Sequence, residues 1–231
     1  LLRVFDLTRH CISTEKTRYY LNGVYLCAKP EEQTLRAVAT DGHRMAVIDT
    51  DLSVPAATAT IIPRKAAQII QNNLDAKANE TAALRLRGNR VQVQAGDMII
   101  TSKCIDGIFP DYTRVLPKDK VKASVAMTVT AVKRMCSFKR AISRNPRLPI
   151  VFSPKDQTIS LGESDNRIQM PCDITTNTKD HMGNFGFQAG FLESQASVTP
   201  IMRLDSSSPT NPTVIRGDDP DAMWVIMPMR V

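Results

Sequence analysis

The feature that most constrains the fold of this chain is an internal repeat. Residues 30–42, PEEQTLRAVATDG, share their pattern with residues 154–166, PKDQTISLGESDN. Aligned without a gap, four residues of the first stretch coincide with identical residues of the second, and these pairs are Pro30/Pro154, Gln33/Gln157, Thr34/Thr158 and Asp41/Asp165. Such self-similarity indicates a chain built from copies of one structural unit.

Two further matches occur in the same order along the chain. LLRVFDLTRHCIS (1–13) aligns without a gap over AVKRMCSFKRAIS (131–143), and LRL (84–86) aligns more weakly over MRL (202–204). The sequence therefore predicts two copies of one unit of about 110–120 residues each. The connector IDGIFPDYTRVLPKDK (105–120), which holds two prolines, is the expected boundary between them.

The hydrophobic pattern predicts an α+β chain. The predicted helices are residues 1–13, 63–74, 130–143 and 190–196. The predicted strands are residues 20–28, 34–40, 43–49, 121–128, 148–153, 157–161, 167–173, 200–204, 213–216 and 223–228, with a three-stranded meander over 84–100. Thr130 is expected to cap the third helix, and Pro63 is expected in the first turn of the second. A strand precedes the helix only in the second copy, so we expect its counterpart to be missing before residue 1.

Composition limits the classes of function. The five cysteines are scattered without a CxxC motif, which favours reduced and mostly buried thiols over disulfides or a zinc site. No stretch is typical of a membrane span or a signal peptide. A net charge of +7 permits a polyanionic partner without demonstrating one.

Two of the predicted helices carry basic residues on a side different from their apolar residues. Ala131, Met135, Phe138 and Ile142 form the predicted apolar stripe of one helix, and Lys133 and Arg140 lie on another side. Arg3 and His10 have the same arrangement in the first copy. These charges are typical either of a solvated helix face or of a face that meets a phosphate backbone, and the pattern leaves both open.

The residues do not predict an enzyme. His10, His43 and His181 share no metal-ligand spacing, and the sequence has no P-loop, GxGxxG or nucleophile elbow. The TDGHR segment offers Asp41, His43 and Arg44, but strand alternation is expected to send these neighbours to opposite faces. We therefore expect neither catalytic residues nor a cofactor.

The C-terminal segment WVIMPMRV is unusually apolar for a chain end. Pro228 cannot donate to a strand ladder, so the last strand is expected to end before it. Met229 and Val231 would then lie at the surface, which is typical of adaptable peptide-binding surfaces.

Five segments match one protein family in order and over most of the chain. They are RYYLNG (18–23), LRAVATDGHRMAV (35–47), PRK (63–65), DGIFPDYTRVLP (106–117) and MPMR (227–230). Together they resemble the bacterial sliding clamp, the beta subunit of DNA polymerase III. The match is dense up to Lys118, weaker over 136–212 and strong again from Val214.

The resemblance implies the DNA-clamp fold, with repeated βαβββ units, helices on the inner face and antiparallel sheets outside. Residues 1–118 would be the middle domain without its first strand, residues 119–231 the C-terminal domain, and the family's N-terminal domain would be absent. Such a clamp is a homodimeric ring when complete, and it encircles double-stranded DNA without sequence specificity. By this resemblance Tyr19 and Tyr20 would contact DNA. The basic helix faces described above add Arg3, His10, Lys133 and Arg140 as candidate DNA contacts.

The resemblance also implies a hydrophobic cleft that binds short linear motifs of partner proteins. Its residues would be Leu21, Thr40, Gly42, His43, Arg44, Met45, Pro110, Arg114, Val115, Gln188, Phe191, Val225, Ile226, Met227, Pro228, Met229, Arg230 and Val231. The implied partners are the replicative polymerase alpha subunit, the clamp loader, repair polymerases, and mismatch-repair or ligase proteins. The implied location is the bacterial cytoplasm, at the nucleoid. The alternative is a clamp-like peptide-binding adaptor that closes no ring on DNA.

Overall fold

The computed structural model describes residues 1–29, 31–74, 81–143, 145, 147–162, 167–176 and 182–231. The chain divides into two compact units, Leu1–Asp111 and Tyr112–Val231, and the division falls inside the predicted connector. Each unit combines helices with antiparallel sheets, which confirms the predicted α+β class. Pro30, Asp165 and His181, which the sequence analysis singled out, lie outside the described residues.

The first unit has two antiparallel sheets and two α-helices among its described residues. Its elements are α1 (Leu2–Thr8), β1 (Gly23–Ala28), β2 (Thr34–Thr40), β3 (Arg44–Ser53), β4 (Ala59–Pro63), α2 (Arg64–Asn73), β5 (Ala83–Arg87), β6 (Arg90–Ala95) and β7 (Met98–Lys103), with 3-10 turns at Arg9–Cys11 and Tyr19–Leu21. Strands pair in the order β3-β2-β1-β4 in one sheet and β5-β6-β7 in the other. The predicted meander over 84–100 is thus confirmed.

The second unit repeats this plan with additional strands. Its elements are a 3-10 turn at Tyr112–Val115, β8 (Ala123–Thr128), α3 (Val129–Ile142), β9 (Pro149–Ser153), β10 (Thr158–Leu161), β11 (Ile168–Pro171), β12 (Ile174–Thr176), β13 (Phe185–Gln188), α4 (Ala189–Gln195), β14 (Ile201–Ser206), β15 (Thr213–Arg216) and β16 (Ala222–Ile226). One sheet has the order β11-β10-β9-β13, and the other contains β12-β8-β14-β15-β16.

The repeat found in the sequence corresponds to equivalent backbone geometry in the two units. Gln33 and Gln157 precede β2 and β10, and both adopt positive φ angles, of 52° and 53°. The carbonyl of Gln33 accepts a hydrogen bond of 2.9 Å from the N–H of Val54, and the carbonyl of Gln157 accepts one of 2.9 Å from that of Cys172. Gln33 and Gln157 therefore hold equivalent positions in the two units, which agrees with the repeat found in the sequence.

Several predicted helix boundaries differ from those observed. The helix predicted over residues 1–13 ends at Thr8, where the chain tightens into the 3-10 turn that contains His10. Pro63 ends β4 and occupies the N-cap of α2, not its first turn. The cap of α3 is Thr128, not Thr130, since its Oγ1 accepts a hydrogen bond of 3.3 Å from the N–H of Ala131. Strands β4, β12 and β13 were not predicted.

Each unit has its own apolar core. In the first, Val24, Leu26 and Val38 of the sheet and Phe5 of α1 are almost fully buried. In the second, the rings of Phe152, Phe185 and Phe187 pack together with centroid distances of 5.2–5.9 Å. The only tryptophan, Trp224, is also buried there.

The buried side of α3 differs from the predicted stripe. Met135 is buried as expected, but Val132 and Cys136 are the other buried residues of this helix, and Phe138 is partly exposed. The predicted stripe is therefore wrong by about one residue, because the helix packs along the 132–135–136 ridge.

The cysteines are all free, and three of the five are buried. Burial raises the pKa of the Cys136 thiol to about 11, with the Glu193 carboxylate adding to the rise, and burial also raises that of Cys11. The burial of three of the five agrees with the prediction of mostly buried thiols, and thiols with raised pKa values are unreactive near neutral pH. Across the described residues no helix is long and apolar enough to cross a membrane.

Candidate peptide-binding and DNA-binding residues

The turn between β2 and β3 is organised by the Asp41 carboxylate. Asp41 Oδ1 accepts hydrogen bonds from the backbone N–H groups of His43 and Arg44, at 2.9 and 3.0 Å, and Oδ2 lies 3.0 Å from Arg44 Nε. Thr40 Oγ1 donates to the carbonyl of Arg44 over 2.7 Å. The expectation that these neighbours diverge is therefore wrong for Asp41 and Arg44, because a tight turn, not an extended strand, carries them.

Gly42 is required at this turn by both conformation and space. Its φ of +89° lies in the region that favours glycine. A Cβ at this position would lie 2.6 Å from an Nη atom of Arg18, whose guanidinium also donates to the carbonyl of Asp41 over 3.3 Å. Arg18 thus covers the turn.

Arg18 is itself held by Glu15. Arg18 Nε donates to Glu15 Oε2 over 2.8 Å, and this hydrogen bond lowers the pKa of Glu15. Sequence reasoning did not select Arg18, although it directly precedes Tyr19. No pattern along the chain indicates that it reaches the turn at Gly42, which is remote in sequence.

The predicted tyrosine pair lies in a 3-10 turn that keeps one ring accessible. Tyr19 is 52% exposed, and its ring meets that of Tyr20 edge-on at a centroid distance of 5.8 Å. A Cβ on Gly107 would lie 3.0 Å from Cβ of Tyr20 and 3.4 Å from the ring of Tyr19, so the backbone at Gly107 passes close to both tyrosines. Leu21, the next residue, is buried and anchors the turn.

The other predicted site residues of the first unit differ in exposure. His43 and Pro110 are exposed, and Arg44 is partly exposed. Met45 is buried, so its side chain can act only as packing beneath the turn. Pro110 follows Phe109, which anchors its segment by stacking on Tyr25 at 4.7 Å.

The C-terminal tail of the second unit is fixed along the edge of β13. Strand β16 ends at Ile226, before Pro228, as predicted. The N–H of Met229 donates to the carbonyl of Gly186 over 2.7 Å. A Cβ on Gly186 would lie 2.6 Å from Val231 Cγ1, so the glycine permits this close approach. Val231 is 56% exposed, which confirms that the tail reaches the surface.

The tail lines a cavity of about 520 Å3 in the second unit. The lining residues are Asn184, Pro209, Thr210, Pro228, Met229, Arg230 and Val231. Sequence reasoning selected the four tail residues but missed Asn184, Pro209 and Thr210. The SSSPTNP segment (206–212) signals only a loop, and nothing in it indicates which surface the loop borders.

The remaining predicted residues of the second unit are not part of this cavity. Val225 and Ile226 are buried, and Met227 is 38% exposed. Gln188 precedes α4 and Phe191 lies within it, and both are partly exposed. Arg114 and Val115 occupy the exposed 3-10 turn at Tyr112–Val115.

The four basic residues predicted on helices lie in different surroundings. Lys133 is exposed on α3. Arg140 is also exposed, but its guanidinium pairs with Glu193 at 2.5 Å. Arg3 donates to the carbonyl of Asp49 over 3.1 Å. His10 lies beyond the end of α1, so the helical spacing used to group it with Arg3 is wrong.

Across the described residues no cluster of His, Cys, Asp and Glu could hold a metal ion.

Comparison with known proteins identifies one family. A family model described as the central domain of the DNA polymerase III beta subunit matches residues 1–111. The beta sliding clamp of Caulobacter vibrioides is 33% identical over 241 aligned positions, which cover all of this chain and 64% of that protein. The beta sliding clamp of Escherichia coli K12 is 40% identical, covering 99% of this chain and 63% of that protein.

Solved structures give the same result. The sliding clamp of Bartonella birtlesii bound to griselimycin superposes with a TM-score of 0.85 at 28% identity, covering all of this chain and 63% of the other. The clamp of Pseudomonas aeruginosa superposes with a TM-score of 0.85 at 26% identity, with the same full coverage of this chain and 64% of the other. The chain thus spans just under two thirds of the length of the relatives it matches.

Proposed function

The chain belongs to the bacterial sliding clamp family, the beta subunit of DNA polymerase III, and from this we propose that it supplies two domains of a DNA processivity factor. Residues 1–118 would form the middle domain and residues 119–231 the C-terminal domain. The protein would be non-catalytic: it would hold partner enzymes on DNA in the bacterial cytoplasm. As a homodimer when complete, it would encircle double-stranded DNA.

The DNA contacts would be weak, mobile and independent of base sequence. A ring retains DNA by topology, so attraction between cations and phosphates is sufficient and base readout is unnecessary. The exposed ring of Tyr19 and the exposed ammonium group of Lys133 support this part of the proposal. Tyr20, Arg3 and His10 are further proposed contacts, whereas Arg140 would first have to leave its pairing with Glu193.

Partner proteins would bind through short peptides that carry apolar anchors. The observation that carries this proposal is the tail cavity of the second unit. It combines the thioether of Met229 with Pro209 and Pro228, and the Met229–Gly186 hydrogen bond fixes the backbone of the tail. A fixed cavity of this kind suits an extended peptide, because apolar burial supplies affinity and little ordering is needed.

The first unit would contribute to partner binding through the turn at Thr40, Gly42, His43 and Arg44. Its geometry supports this role, because Asp41 and Arg18 fix the turn while the side chain of His43 stays exposed. The other residues that the resemblance assigns to the cleft remain predictions. The implied partners are the polymerase alpha subunit, the clamp loader, and repair polymerases, mismatch-repair or ligase proteins.

The test is fluorescence anisotropy of a labelled Gln-Leu-Ser-Leu-Phe peptide titrated with this chain. We expect saturable binding with a Kd near 1 μM, about 8 kcal/mol. Met229→Ala keeps the backbone N–H that bonds Gly186 and removes only the thioether, so it should weaken binding about tenfold, which corresponds to about 1.4 kcal/mol. Met170→Ala, on the partly exposed strand β11, is the matched control and should bind normally.

Arg44→Ala tests the first unit in the same assay. Combined with Met229→Ala it should weaken binding further while leaving the melting temperature nearly unchanged. Equal affinity of this double variant and the unmodified chain would contradict the site assignment. Absence of binding by a folded, unmodified chain would contradict the peptide-binding role itself. The adaptor alternative is less well supported, because the relatives are named sliding clamps.

A further inference from the structure

The exposed face of the β5-β6-β7 sheet carries a row of three cations. Arg87 pairs with Arg90 across β5 and β6, and Arg90 pairs with Lys103 across β6 and β7. Residues in direct cross-strand register point to the same face, and neighbouring strands lie about 4.8 Å apart. All three side chains belong to exposed residues, whereas the alternating Val91 and Val93 are buried on the other face.

This row takes part in no ion pair with another described residue, since the ion pairs between residues that the structure describes involve none of Arg87, Arg90 and Lys103. Asp97 lies in the β6–β7 turn at the far end of the strands, six residues from Lys103, which corresponds to about 20 Å at about 3.4 Å per residue. A fourth cation, Arg85, lies one pair further along the same face and donates to Gln94 Oε1 over 2.7 Å.

Like charges directly opposite one another destabilise a sheet, so this arrangement opposes folding. Sequences that violate a local rule of stability commonly do so at functional positions. Three cations in register therefore indicate a binding surface.

The rest of the face distinguishes between classes of polyanion. It carries no aromatic side chain, so it offers no platform on which nucleic-acid bases could stack. It does present Ile99, which is 57% exposed and lies four residues before Lys103 on the same strand. An exposed apolar side chain about 13 Å from the cations fits a protein segment better than a phosphate backbone.

We propose that this face, formed by Arg87, Arg90, Lys103 and Ile99, binds an acidic segment of a partner protein. Carboxylates of the segment would meet the cation row, and an apolar side chain about four residues along an extended segment would cover Ile99. The surface is separate from the residues proposed to bind the apolar peptide and DNA, so the inference does not depend on those assignments.

The probe is a fluorescein-labelled peptide, Asp-Glu-Asp-Glu-Ser-Gly-Ser-Leu-Leu, titrated with the full chain at low ionic strength. Substitution of Arg87→Gln, Arg90→Gln and Lys103→Gln together should weaken binding at least about tenfold. The matched control is Lys118→Gln, Lys120→Gln and Lys122→Gln, which removes the same charge from exposed positions of the other unit. We expect the control to change affinity by less than about twofold.

Additional measurements in the same assay distinguish binding to this face from binding by net charge alone. A peptide with Asn and Gln in place of its acids should not bind, and Ile99→Ser should weaken binding of the Leu-Leu probe but not of its Ser-Ser counterpart. An excess of unlabelled Gln-Leu-Ser-Leu-Phe should not displace the probe. Equal losses in the two triple variants would overturn the proposal, because net charge alone would then explain binding. Tighter binding of a 20-base-pair duplex than of the probe, lost selectively in the Arg87, Arg90 and Lys103 triple variant, would also overturn it.

Discussion

Replacement of Gly42 by alanine should destabilise the first unit by more than replacement of Gly88. Both glycines have positive φ angles, of 89° and 56°, and each alanine should cost about 1–2 kcal/mol for its left-handed conformation. The loss of chain entropy in the unfolded state on replacing glycine is the same at both sites, so it cancels in the comparison. The difference between the two sites therefore comes from their surroundings.

A Cβ on Gly88 meets nothing within 4 Å, whereas a Cβ on Gly42 would lie 2.6 Å from Arg18. The Arg18 guanidinium is the end of a flexible side chain, so it would move and give up its hydrogen bond to the carbonyl of Asp41. That bond is 3.3 Å long and partly buried, so its loss adds about 0.5–1 kcal/mol. We expect Gly42→Ala to lower the free energy of unfolding by about 2 kcal/mol. Gly88→Ala should lower it by about 0.5–1 kcal/mol less, because no hydrogen bond is lost there.

Urea unfolding followed by hydrogen exchange of peptides from β2 and β3 measures this cost. These strands report on the first unit, whereas fluorescence of the only tryptophan, Trp224, reports on the second. Arg18→Ala completes a double-mutant cycle, because it removes the clash in advance. In that background Gly42→Ala should cost no more than Gly88→Ala. Equal costs of the two single variants, or no coupling between Gly42 and Arg18, would refute the reasoning.

Three other perturbations test separate parts of the structure. Thr128→Ala should lower the free energy of unfolding of the second unit by about 1 kcal/mol in urea denaturation, and Thr130→Ala should have little effect, because only Thr128 caps α3. Burial opposes ionisation of Asp49, but hydrogen bonds and charge from Arg36, with help from Lys29, hold its pKa below the usual value. The stabilisation from ionised Asp49 is complete above its unfolded pKa of about 4, and it is lost as the pH falls through its lower folded pKa. Asp49→Asn should therefore reduce the fall in melting temperature that the unmodified chain shows below about pH 4. Glu193→Gln should strengthen duplex binding by this chain at low salt, since it releases Arg140; unchanged affinity and salt dependence would remove Arg140 from the proposed DNA contacts.

Local chemistry made much of the fold predictable. Gly88-Asn89 and Gly96-Asp97 separate three alternating segments, and these became β5, β6 and β7 because tight turns and one buried face determine a meander. Errors arose where long-range packing decided the outcome. The helix predicted over residues 1–13 ends at Thr8, and Ile12 is buried from an extended conformation that helical spacing could not predict.

The candidate sites also combine features that local sequence predicted with features that long-range packing decided. The sequence indicated the apolar tail and the strand end before Pro228, since a missing N–H is a property of one residue. It did not indicate that Gly186 would accept the hydrogen bond that fixes Met229, or that Pro209 and Thr210 would border the same cavity. Those facts depend on segments that meet only after the second unit folds.

The sequence by itself determined the duplication, the α+β class, the family and the turn chemistry, because repeated motifs, periodicity and Gly or Pro positions act over a few residues. Only the tertiary structure decided that Arg18 covers Gly42, that Glu193 neutralises Arg140, and that Arg87, Arg90 and Lys103 stand in one row. The register between strands and the reach of long side chains set these relations. Both depend on the packing of residues distant in sequence, which no local pattern records.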